Sequence, residues 1–162
     1  MKFILALLML ISSGFAATPE VKWMDFQTAV ERAKKDSLFV LVEVYADWCM
    51  PCKEMNATTF KDSAVVQMLN TRFFPVRLNA ESTALIPCDN WPRTVSNCVM
   101  QNWRLQGVPS FVLIGPSGNL ITSITDALDA LQMQQVLQEF IDGRSILLET
   151  DRKLSKAKER AK

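Results

Sequence analysis

Residues Leu38-Phe39-Val40-Leu41-Val42-Glu43-Val44-Tyr45-Ala46-Asp47-Trp48-Cys49-Met50-Pro51-Cys52-Lys53 decide how the chain is read. The first eight form an almost unbroken apolar run, as expected of a strand covered on both faces of a sheet. Lys53-Glu54-Met55-Asn56-Ala57 then reads as helix. Two cysteines separated by two residues therefore lie where a strand feeds a helix. The unpaired N–H groups and partial positive charge of a helix N-terminus favour a thiolate over a thiol. Thiol–disulfide exchange needs that geometry. A static disulfide and half of a zinc site are the competing readings. Zinc usually takes four ligands, and the chain has no histidine and no second close cysteine pair; no metal is expected.

Outward from this stretch, units alternate. Upstream, Val21-Lys22-Trp23-Met24 reads as an edge strand, and Asp25 caps a helix to about Lys35 with Phe26, Ala29, Val30 and Ala33 on one face. Downstream, Asp62 caps a helical stretch carrying Val65, Val66, Met68 and Leu69, and Phe73–Leu78 reads as a strand that Pro75 pushes toward an edge or a strand start. Residues 79–95 read as irregular, and helical periodicity returns from about Ser96 to Leu105. Ser110–Ile114 and Leu120–Ile124 flank the turn Gly115-Pro116-Ser117-Gly118-Asn119 and form an antiparallel hairpin. Asp126 is expected to cap a final helix to about Ile141, with Leu128, Leu131, Val136, Leu137 and Phe140 apolar. Alternating units followed by a hairpin and helix predict a three-layer α/β/α sandwich with a mixed sheet.

The ends and the charge balance set the context. Residues 1–16, MKFILALLMLISSGFA, read as a secretory signal: Lys2, an apolar stretch from Phe3 to Ile11, then Gly14 and Ala16 before a cut. The apolar stretch is shorter than the roughly 17–25 residues that span a bilayer. The mature part carries 17 basic and 17 acidic residues, so nothing in its balance points to nucleic acid. The domain is expected over residues 17–143, with a charged tail at 144–162 that reads as a solvated helix extension or a frayed end. Export makes disulfides persistent. With Cys49 and Cys52 as one pair, Cys88 and Cys98 remain as the other.

At Tyr45-Ala46-Asp47-Trp48-Cys49-Met50-Pro51-Cys52-Lys53-Glu54 the chain resembles the thioredoxin superfamily, and specifically the soluble C-terminal thioredoxin-like domain of DsbD-type thiol:disulfide interchange proteins. The likeness runs through Thr59-Phe60-Lys61-Asp62 and Val65, then Gly107-Val108-Pro109-Ser110 and the hairpin, over roughly residues 22–142. Three departures stand out. There are no multiple membrane spans, which implies a free-standing domain. The segment from Asn79 to Val108 is longer, with an insertion at 79–98 that holds Cys88 and Cys98. Thr125-Asp126-Ala127 replaces a glycine often found after the hairpin.

The resemblance assigns roles. Cys49 is the nucleophile, its sulfur within reach of solvent, and Cys52 resolves the mixed disulfide. Glu43, six positions before Cys49, falls where relatives place a buried acid behind the second cysteine; it would take the Cys52 proton, or else be an acid at a strand edge facing water. Val108-Pro109 should be the cis-proline turn facing the dithiol and offering its backbone to an extended substrate. Trp48, Met50, Pro51 and Val108 would line the substrate groove. Met50-Pro51 supplies no charge or donor to the thiolate, which leans the pair toward reduction. Cys88 and Cys98 read as a structural disulfide, a second relay being the alternative.

The sequence therefore predicts an exported, periplasmic thiol–disulfide oxidoreductase, a monomer, reducing cysteine-containing exported proteins with electrons from a membrane thiol donor. No cofactor beyond the Cys49–Cys52 pair is implied. The competing readings are an oxidase or isomerase and, from a different class, a binding or chaperone module with structural cysteines.

Overall fold

The apolar run folds as a strand because it is apolar on both faces and ends where the dithiol begins. The structure, a computed structural model, describes residues 20–89 and 91–161; the signal read at 1–16 lies outside them. Asp25 caps α1 (Phe26–Asp36), accepting from the Thr28 N–H at 3.0 Å. β1 (Phe39–Tyr45) follows, buried except at its last residue. α2 (Met50–Ala57), a 3-10 turn at Thr59–Lys61 and α3 (Ser63–Arg72) then cross over to β2 (Phe73–Asn79). A parallel return needs such a helical crossover. β2 pairs parallel with β1, Phe39 opposite Phe73 and Glu43 opposite Arg77.

After β2 come β3 (Leu85–Cys88), β4 (Trp91–Thr94) and α4 (Val95–Asn97), which runs into a π-helical turn at Cys98–Asn102. β5 (Ser110–Ile114) and β6 (Leu120–Thr125) form the expected hairpin, and α5 (Ala130–Asp142) and α6 (Arg144–Arg160) close the described chain. β5 lies antiparallel to β1, with Val40 opposite Ile114 and Val44 opposite Ser110. The sheet order β2-β1-β5-β6 is mixed, as predicted.

Strand alternation sorts β1 into two cores. Val40, Val42 and Val44 face α1 and the segment after β2, meeting Phe26, Ala29, Ile86, Val95 and Val99. Phe39 and Leu41 face the other way, toward Met55 of α2, Val65 and Leu69 of α3, and Met133 and Leu137 of α5. Each buried valine or leucine contributes roughly 1.5–3 kcal/mol. The α/β/α sandwich is thus two apolar layers on one sheet.

Five local expectations change. Residues 79–95, read as irregular, contain the hairpin β3–β4; its paired prolines, Pro87 opposite Pro92, masked the strands. The helix expected over Ser96–Leu105 is three residues of α-helix and one π turn. Because Ile86, Cys88, Val95 and Cys98 belong to the first core, the inserted segment is the cover of one sheet face. The last long helix is capped by Asp129, not Asp126: Asp129 and Gln132 form a reciprocal capping box, and Leu131 points outward at 63% exposure. Val21–Met24 contributes one bridge, Met24 to Val76, in place of a strand.

The fifth concerns the tail. α6 packs on the domain through Asp151, 2% exposed, whose carboxylate accepts from the Ser117 N–H at 2.9 Å and the Asn119 Nδ2 at 3.1 Å. A Cβ on Gly115 would fall 2.5 Å from that carboxylate, so the close approach requires glycine there. Arg144 donates to the Ser37 carbonyl at 2.7 Å. Among the described residues no helix is long and apolar enough to cross a membrane.

Candidate active site

Cys49 and Cys52 are joined in a disulfide. Cys49 is the N-cap of α2, and its sulfur accepts from the Cys52 N–H at 3.1 Å. Pro51 sits in the first turn, where its missing N–H costs the helix nothing. A thiolate at Cys49 would therefore sit on the positive end of α2, already met by one N–H donor. The expectation that its sulfur reaches solvent changes: in this oxidised form Cys49 is 2% exposed and Cys52 1%. Trp48 and Met50 stand exposed beside them, at 66% and 68%.

The Val108–Pro109 peptide bond is cis, and Val108 packs on the cluster of Ala46, Cys49 and Cys52. The sheet explains why these segments meet. β1 delivers Cys49 at its C-terminal end, and antiparallel β5 begins at that same end with Ser110. The Ser110 hydroxyl donates to the Gly107 carbonyl at 2.6 Å and tightens the turn.

Glu43 is 1% exposed. It sits on the same face of β1 as Leu41 and Phe39, the face that carries α2. Its partner is Arg77, directly opposite on β2, with Nε 2.8 Å from Oε2 in ion-pair contact but not aligned as a hydrogen bond. A second guanidinium nitrogen reaches Oε1 at 3.4 Å. Burial pushes the Glu43 carboxyl up from 4.5 to about 7; the Arg77 charge and hydrogen bond pull it down without overcoming burial. The water-facing alternative for this acid is excluded by its burial.

Arg77 was not singled out in the sequence. Its guanidinium lies 4.4 Å from the Tyr45 ring centroid and 5.8 Å from that of Trp23, and it donates to Asn56 Oδ1 of α2 at 3.0 Å. A lone charge at the same depth in two neighbouring apolar strands was the signal that could have found it. Glu81 was also missed: it accepts from the Trp48 indole N–H at 2.9 Å. Nothing marks that pairing in sequence, since it depends on how the loop after β2 folds back.

Cys88 and Cys98 form a second disulfide, both residues at most 1% exposed. It ties β3 to the π turn, away from the dithiol cluster.

A mixed sheet with a dithiol at the start of the helix after β1, facing a proline turn before β5, defines a thioredoxin-like domain. The chain belongs to that family: the thioredoxin-like domain family model matches residues 26–141. It is similar to the thiol:disulfide interchange protein DsbD of Pectobacterium atrosepticum, with 28% identity over 131 residues, 80% of this chain and 20% of that protein. The chain thus spans about a fifth of the length of that relative. Among solved structures, the reduced C-terminal domain of Neisseria meningitidis DsbD has a TM-score of 0.52 at 21% identity, over 69% of this chain and 90% of that one. A thioredoxin from Thermus thermophilus has a TM-score of 0.63 at 16% identity, over 76% and 89%. Both share the fold.

Proposed function

We propose that this thioredoxin-like disulfide oxidoreductase is exported to the periplasm and reduces disulfides in other exported proteins, with electrons from a membrane thiol donor. The observation that carries the reading is the Cys49–Cys52 disulfide at the N-terminus of α2, set against Val108 with Glu43 buried on the α2 face of the sheet. The leader at residues 1–16 and the likeness to a thiol:disulfide interchange protein support export and exchange.

The chemistry balances as two thiol–disulfide exchanges. The Cys49 thiolate attacks one sulfur of the client disulfide; a new S–S bond forms, the client bond breaks, and the other client sulfur leaves as a thiolate that takes a proton. Glu43, as carboxylate, receives the Cys52 proton. The Cys52 thiolate then attacks Cys49 Sγ, expelling the second client thiolate and closing the disulfide. Two electrons have passed to the client, and the oxidised pair awaits a donor dithiol. The backbone of Val108 before Pro109 and the exposed Trp48, Met50 and Pro51 give an extended client segment its seat.

A Cys52→Ala variant in the periplasm tests this. Mixed disulfides should accumulate on Cys49 with exported cysteine proteins, and the purified wild type should equilibrate with glutathione as a reducing pair. A strongly oxidising pair, or no trapped client, overturns the reductase reading.

A further inference from the structure

The charges of this chain are segregated. Residues 17–143 hold ten basic and fourteen acidic residues, whereas 144–162 hold seven basic and three acidic. A balance of zero hides a basic helix on an acidic body.

α6 presents part of that excess outward, four exposed basic side chains against the exposed Glu149 and Glu159. Its inner face is used up by Asp151, Leu147 and Leu148, which pack on the domain. Lys158 turns inward to Asp89 at 2.9 Å. Arg152, Lys153, Lys156 and Arg160 are exposed, and Ile146, nearly two turns before Arg152, is exposed at 69%. Lys153 pairs with Glu149 at 2.8 Å. Arg152, Lys156 and Arg160 have no carboxylate within ion-pair distance among the described residues. The helix is about 25 Å long at 1.5 Å per residue.

Its place in the fold matters as much as its charge. α6 is anchored at Ser37, before β1, and at Ser117, after β5. Those are the ends of the two central strands remote from the dithiol, because β1 runs toward Cys49 and β5 runs away from Pro109. A surface bound by α6 would leave Trp48 and Met50 free.

We infer that the outward face of α6 docks the domain on an anionic lipid surface. Clustered lysine and arginine side chains are attracted to anionic headgroups, and their apolar stems let them bridge from a helix lying flat on the bilayer. The face offers exposed cations and Ile146, which suits a planar layer of headgroups better than a folded acidic protein. Attachment is electrostatic, since the helix's apolar side is committed to the domain, and so it is reversible by salt. The inference stands apart from the redox reading and is read by binding alone.

The test uses the oxidised chain from residue 17, because the apolar stretch at 3–11 would itself enter lipid. It should sediment with vesicles of phosphatidylglycerol and phosphatidylcholine, at least tenfold more than with phosphatidylcholine alone, and release as salt rises from about 0.05 to 0.5 M. Neutralising the face (Arg152→Gln, Lys153→Gln, Lys156→Gln, Arg160→Gln) should weaken binding tenfold or more. Lys22→Gln with Lys34→Gln and Lys35→Gln should leave it within twofold. Equal sedimentation with both vesicle types overturns the inference, as does binding that survives neutralisation of α6. Tighter capture by polyglutamate or single-stranded DNA than by the vesicles does so too. The lipid and salt comparisons use the unaltered chain, so they decide the matter even if the fourfold variant misfolds.

Discussion

The two disulfides are hidden to nearly the same degree, with all four cysteines at most 2% exposed, yet their surroundings have little in common. Cys49–Cys52 spans the first turn of a helix that covers the sheet face holding the buried Glu43, and it is flanked in sequence by the exposed Trp48 and Met50. Cys88–Cys98 lies inside an apolar layer with Val95, Val99 and Ile86. Burial of sulfur therefore does not separate a working disulfide from a structural one. In the proposed function, what separates them is a dipole to hold the thiolate, a group to take the proton, and a rim a client can touch.

Breaking each pair in turn should separate them most widely. Cys49→Ser is expected to lower insulin-disulfide reduction on the order of a thousandfold, since no second nucleophile replaces it. Cys88→Ala with Cys98→Ala should leave that rate within about threefold. A comparable loss in both variants would erase the distinction.

The carboxyl beneath the first pair comes next. Glu43→Gln should slow release of mixed disulfides about 10- to 100-fold with the initial attack unchanged, separable by rapid-quench alkylation. Glu43 also carries a pH signature. Its folded value, about 7, lies above the ordinary 4.5, so the folded state holds the proton longer than the unfolded chain. The contribution of neutral Glu43 is fully present below about 4.5 and is lost as pH rises through about 7. The ceiling is roughly 3 kcal/mol, reduced by whatever Arg77 restores. Urea titrations of the oxidised protein from pH 4.5 to 8.5 should show that decline in the wild type and a flatter profile in Glu43→Gln.

The second pair should answer in stability. Cys88→Ala with Cys98→Ala is expected to cost about 3 kcal/mol, the loop-closure value for a span of this length, in urea at constant pH. A loss near zero would mean that the cover of the first core holds without its staple.

The same contrast explains what the sequence reveals. Glu43 was legible because a charge in an eight-residue apolar run has few explanations, and the dithiol because its chemistry is local in sequence. Arg77 was less so: it becomes meaningful only once β1 and β2 are in register. The inserted segment hid its hairpin because prolines at paired positions mimic a loop, whereas its disulfide was legible by elimination once Cys49 and Cys52 formed one pair. Asp129 was misjudged in favour of Asp126 although Asp129-x-x-Gln132 is a capping-box spacing. Asp151 read as one more tail charge because its partners lie more than thirty residues back, at Ser117 and Asn119.

The smallest effect concerns the rim, where the first pair differs most visibly from the second. Trp48 is held by its indole N–H to Glu81, whose loop is fixed by the Glu81 N–H donating to Asn79 Oδ1 at 2.9 Å. An exposed hydrogen bond of this kind contributes about 1 kcal/mol at most, so Glu81→Ala should barely move global stability. It frees Trp48 to leave the orientation in which it flanks Cys49, and the loss should fall on client binding: KM for a disulfide substrate rises about three- to fivefold while kcat stays near the wild-type value. Glu81→Gln keeps an acceptor for the indole and should restore most of the KM. A fall in kcat comparable to that of Glu43→Gln would instead tie the rim to proton transfer, and the separation of rim from base would have to be abandoned.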